Sequence, residues 1–196
     1  MRKIVAISCL ALVSTLFPLE TIYGQELSQS NCRPELRGMR LGMSTDQLAA
    51  LFPRGYKRRE IQDGLEAAKT ANQTVYLGFD PATDSVGDNF AGVDAVTVGL
   101  DKGRVVDFSL QYVGQTWRSI DEWVTKLSEA LKLPGTKAWT PGSDEAPSKF
   151  LKCKDSELVA AIQGGGASIR VRDLEAAKES ERSNAKEERK RREFKP

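Results

Sequence analysis

Chemistry needs reactive side chains at workable spacing, and the 196 residues offer few of them. The chain contains no histidine. That removes the usual Ser/His and Cys/His nucleophile systems and most zinc sites, because imidazole is the common base and ligand near neutral pH. What remains is carboxylate chemistry. Asp80, Asp84 and Asp88 crowd the segment DPATDSVGDN. Their spacing departs from the D-x-[DN]-x-[DN]-G calcium loop, and turn-forming Asp, Pro and Gly account for the same letters. A hydrolase needs two acids facing one another across a pocket, which no spacing in the chain imposes. The glycines of residues 37–43 and of 163–166 lack the following lysine or helix of a phosphate loop. The expectation is therefore a chain that is not an enzyme, with no metal and no cofactor.

Three cysteines occur. Cys9 lies inside an apolar run, Ile4 to Phe17, that follows Arg2 and Lys3 and leads to Ile22-Tyr23-Gly24. This three-part order predicts a secretory signal peptide over residues 1–24. The run falls short of the roughly 20 residues that span a bilayer, so no transmembrane segment is expected. Export puts Cys32 and Cys153 in an oxidising compartment, periplasmic or extracellular, where an isolated pair is expected to form a disulfide. The formal charge of +2 falls to near +1 without the signal. That balance gives no bulk affinity for nucleic acid.

These residues must be held by elements, and the periodicities name several. In VDAVTVGLDKGRVVDFSLQYV, residues 93–113, Val96, Val98 and Leu100 alternate with polar or small residues, and Val106, Phe108, Leu110 and Tyr112 do so after Asp101-Lys102-Gly103. This predicts an antiparallel hairpin with one buried face. Its other face presents Thr97, Asp107, Ser109 and Gln111, which are the candidate binding residues together with Trp117 and Trp139. Tryptophan is enriched at binding hot spots, although such a ring is more often simply packed into a core. Residues 74–79, 138–140, 150–162 and 168–172 also read as strands.

Two segments carry helix-start signals. In RGMRLGMSTDQLAALFP, residues 37–53, Met39, Leu41 and Met43 alternate as a short strand, and Ser44 with Gln47 forms a capping box before Leu48, Leu51 and Phe52. Ser119 with Glu122 repeats the box ahead of Ile120, Trp123, Val124, Leu127 and Leu131. Residues 54–72 suit a strand or a short helix. From Asp173 onward nearly every residue is charged or small, and the pairs Glu187 with Arg191 and Glu188 with Arg192 favour a solvated helix.

Residues 37–53 resemble the G-x-[ST]-x-x-[QE]-[LV] start of the outer-membrane assembly lipoprotein family BamE and the repeats of β-lactamase inhibitory protein. With the charged end at Phe194-Lys195-Pro196, the chain also resembles a group of uncharacterised bacterial exported proteins. The resemblance implies a non-catalytic α+β module used for protein contacts, and it carries over no binding residue.

The expected architecture is an α+β fold with an antiparallel sheet and two helices on one face, compatible with two α-β-β-β halves, plus a charged C-terminal helix. The division is signal peptide 1–24, one α+β domain over 25–172 and a helical tail over 173–196. The expected function is an exported binding module of the cell envelope with a protein partner. A hydrolase using paired carboxylates and a structural envelope component tethered by its basic tail are the alternatives.

Overall fold

The computed structural model describes residues 32–114, 117–142, 147–163 and 166–193. Residues 1–24, where a signal peptide is expected, with Cys9 among them, and Phe194-Lys195-Pro196 lie outside the described residues. In chain order the elements are α1 (Thr45–Leu51), α2 (Arg59–Thr70), β1 (Val75–Phe79), a one-turn helix α3 (Pro81–Asp84), β2 (Val93–Asp101) and β3 (Arg104–Tyr112). They continue with α4 (Ile120–Leu131), β4 (Thr140–Pro141), β5 (Ser148–Lys152), β6 (Ser156–Gln163), β7 (Gly166–Asp173) and α5 (Leu174–Glu193). All strand pairs are antiparallel, in one seven-stranded sheet of order β1-β2-β3-β7-β6-β5-β4. Two helix-then-strands halves therefore meet through their last strands, β3 and β7.

Strand side chains alternate between faces, so the register sorts them. Leu77, Val98, Phe108, Val171, Leu158 and Leu151 fall in one cross-strand row, all buried. Helices α1, α2 and α4 cover this face. Phe52, at the end of α1, stacks on Phe79 with ring centroids 4.4 Å apart. α2 buries Ile61, Leu65 and Ala68, and Trp123 of α4 donates its indole N–H to the Ser168 carbonyl at 3.1 Å. The helical layer thus holds three helices where two were expected, because residues 54–72 resolve into a 3₁₀ turn and α2. Gly64 sits inside α2 because a Cβ there would collide with the Leu77 side chain.

The first capping box forms in full. Gln47 N–H donates to Ser44 Oγ at 3.3 Å, and Ser44 N–H donates to Gln47 Oε1 at 3.1 Å. Ser44→Ala should cost about 1 kcal/mol, seen as a melting temperature lower by about 2–4 °C; an unchanged thermal melt would refute the role of the cap. The second box forms by half: Glu122 N–H donates to Ser119 Oγ at 3.2 Å, while the Glu122 carboxylate accepts instead from Arg118 N–H. The β2–β3 turn places Lys102 and Gly103 at φ of 49° and 70°, the left-handed pair of a two-residue hairpin loop.

Three strand expectations are corrected. Met39, Leu41 and Met43 alternate in burial, yet the segment forms isolated bridges and not a strand. Positive φ at Arg37, Gly38 and Gly42 breaks it, although Val105 N–H still donates to Met43 O at 2.9 Å. The run 150–162 folds into the hairpin β5–β6, closed by Cys153 N–H donating to Ser156 O at 2.9 Å. Residues 138–140 end a 3₁₀ turn and reach only the two-residue β4. Cys32 and Cys153 are joined in a disulfide with Cα atoms 5.6 Å apart, well within the usual span. No helix among the described residues is long and apolar enough to cross a membrane.

Candidate functional site

The sheet face opposite the helical layer carries most of the predicted binding residues. Gly78, Thr97, Ser109, Arg170, Val159 and Phe150 form one cross-strand row from β1 to β5. Thr97 and Gln111 are exposed on it, and Ser109 is half-buried. A second row runs Tyr76, Gly99, Asp107, Arg172, Glu157 and Lys152.

Asp107 lies on this face but is not open to a partner, being only 5% exposed. Both of its oxygens accept from Arg170 Nε, at 2.9 and 3.0 Å, and Arg170 Nη2 adds a third bond. Arg172 Nε stands 3.5 Å away. These hydrogen bonds hold the Arg170 guanidinium above its ordinary pKa range, against the opposing effect of burial. The cause of the close approach lies in β2. A Cβ on Gly99 would stand 2.9 Å from Tyr76 Cε1 and 3.0 Å from Asp107 Cβ, so the absent side chain leaves room for ring and carboxylate together. Tyr76 remains 54% exposed above them. Asp107 is thus the anchor that orients two arginines, while Thr97, Ser109 and Gln111 supply reachable hydrogen-bonding groups on β2 and β3, with Arg170 of β7 between them and the apolar Val159 and Phe150.

α5 leaves β7 toward this side. Ala176, Ala177, Ser180 and Glu181 line a small cavity of about 110 Å³ with Tyr76, Asp107 and Arg172. Lys102 Nζ pairs with Glu179 at 3.2 Å, which ties the helix to the β2–β3 turn. Farther along, Arg192 pairs with Glu188 at 3.6 Å, one of the two helical pairs expected from the sequence.

The tryptophans lie elsewhere. Trp139 is buried, and its indole N–H donates to Ser128 Oγ at 3.2 Å and Pro134 O at 3.3 Å, so it is core. Trp117 packs on Trp123 at 4.8 Å. It lines a groove of about 390 Å³ on the helical side, between α4 and the turns at Leu36–Arg37 and Ala91–Gly92. Tyr112 stands edge-on to Trp123 in the same groove, at 5.4 Å. Burial raises the Tyr112 pKa, and the neighbouring Arg37 partly offsets this.

Asp80, Asp84 and Asp88 do not converge on an ion. Asp80 caps α3 by accepting from Ala82 N–H. Asp84 is buried and accepts from Arg58 Nη2 and Asp80 N–H, both at 2.9 Å. No cluster of three metal-ligating side chains exists among the described residues.

Sequence reasoning missed Arg170, Arg172, Val159, Phe150 and Tyr76. The alternation Ser168, Arg170, Arg172 against Ile169 and Val171 held a signal for two of them. Their association with Asp107 depends on pairing between strands 63 residues apart. The chain matches no protein-family model, no curated protein and no solved structure.

Proposed function

We propose that the protein is an exported, non-catalytic binding module of the cell envelope and that its partner, a protein, lies on the open sheet face. The observation that carries this reading is the row Thr97, Ser109, Arg170, Val159 and Phe150, which sets hydroxyls, a guanidinium and apolar groups side by side across five strands. Protein interfaces combine such groups, with arginine and aromatic anchors inside a polar rim. Stiff β-structure beneath them keeps the ordering cost of association low. The disulfide fits an oxidising compartment. The BamE-like start of the chain lends support, since that resemblance implies a module for protein contacts.

The paired-carboxylate alternative draws less support. The buried acids Asp84 and Asp107 are each engaged by arginine, so neither stands free to face a second acid across a pocket.

A photoreactive residue at Thr97 or Gln111, with a control at the exposed Glu66 of α2, tests the reading in intact cells. The expected result is one discrete protein adduct from the two sheet positions, none from Glu66, and loss of the adduct when Ser109→Arg places bulk and charge in the row. Equal labelling from Glu66, or an adduct insensitive to Ser109→Arg in a folded variant, would overturn it.

A further inference from the structure

The groove beside α4 has features that ordinary packing does not require. Its walls are the aromatic side chains of Tyr112, Trp117 and Trp123 together with Leu131. Its volume of about 390 Å³ falls in the range of small-ligand pockets. The indole nitrogen of Trp117 is buried and has no acceptor among the described residues. Leaving such a donor unmatched is unfavourable.

Arg37 forms the rim. Its backbone holds φ at 56°, a conformation that non-glycine residues adopt at a cost and keep where the surroundings demand it. From there its guanidinium donates to Ala91 O at 3.2 Å and lies beside the Tyr112 hydroxyl. Lys126 on the opposite wall is already paired with Glu129 at 3.2 Å. Arg37 makes no ion pair with a carboxylate among the described residues, including Glu35 on the same rim. An unneutralised, exposed guanidinium thus stands over an aromatic slot.

We infer that this groove is a binding site for a small aryl carboxylate: the ring lies against Trp117, Trp123 and Tyr112, and the carboxylate pairs with Arg37. Flat walls favour a flat aromatic body, since ring pairs gain from offset or edge-on contact. A guanidinium fork matches a carboxylate in two parallel hydrogen bonds. The site is separate from the sheet face, so it stands or falls apart from the protein-partner reading.

The test uses the disulfide-bonded chain with 4-phenylbutyrate as probe and the neutral 4-phenylbutan-1-ol as control, followed by calorimetry and saturation-transfer NMR. The expected result is saturable binding of the acid, with the alcohol weaker by about tenfold or more. Arg37→Gln should lose about tenfold in affinity and Arg37→Lys should regain part of it. Ala130→Phe, which fills the groove from α4, should abolish binding while near-ultraviolet dichroism stays native. The inference is overturned if the folded wild-type chain shows no saturable binding, if acid and alcohol bind equally, or if folded Arg37→Gln or Ala130→Phe binds like wild type.

Discussion

Replacing Cys32 and Cys153 together by serine should lower the stability of the folded chain by about 4–5 kcal/mol. The bridge closes a loop of 121 residues, and a cross-link of that span removes about this much conformational entropy from the unfolded chain. For a protein of this size the loss corresponds to a melting temperature lower by about 10–15 °C. The bridge also fixes where the chain enters the fold. Ser156 Oγ donates to the Cys32 carbonyl at 2.6 Å, and Arg33 lies 3.7 Å from both Asp155 and Asp173. These contacts place the first described residues across the start of β6 and the end of β7. Thermal unfolding with and without reductant checks the expectation, because reduced wild type and the double serine variant should melt together. A reduced protein that melts like the oxidised one would show that the bridge contributes nothing.

The second large effect is expected at Asp107. Removing one partner from a buried ion pair costs about 3–5 kcal/mol, because the other charge is left without compensation. Here the Arg170 and Arg172 side chains are 37% and 32% exposed, so water takes up part of the loss. Asp107→Ala should therefore cost about 2–3 kcal/mol. Denaturant unfolding should show a lower midpoint with an unchanged slope. Pairing Asp107→Ala with Arg170→Met in a double-mutant cycle should give a coupling of about 1 kcal/mol or more. Additive effects would mean that the bidentate geometry does not matter. Thr97→Ala, on the same face but exposed, should change stability by less than about 0.5 kcal/mol.

Local signals were the legible part of this fold. Ser44 with Gln47, Ser119, the Lys102-Gly103 turn and the alternation on either side of it each state their structure within a few residues. What stayed hidden depends on distant parts of the chain. α2 has Arg58 at its N-cap with no side-chain cap bond, and its glycine makes sense only when Leu77 is laid against it. The β5–β6 turn at Lys154-Asp155 contains neither glycine nor proline, so two strands read as one run. Nothing near Asp107 in sequence announces Arg170, and the aromatic groove needs Arg37, Tyr112 and Trp117 brought together from three separate segments. The four polar candidates on β2 and β3 were readable as a face. That one of them is spent on arginine was not.

The junction of β3 with β7, paired from Asp107–Arg172 through Tyr112–Ala167, leaves no hinge between the wings of the sheet. A guest lying across it would meet residues of both wings in one fixed relief, and would match them simultaneously or not at all. On the proposed binding reading, weakening any strand of that span should degrade recognition at both wings together, giving an all-or-none loss of grip instead of a graded one.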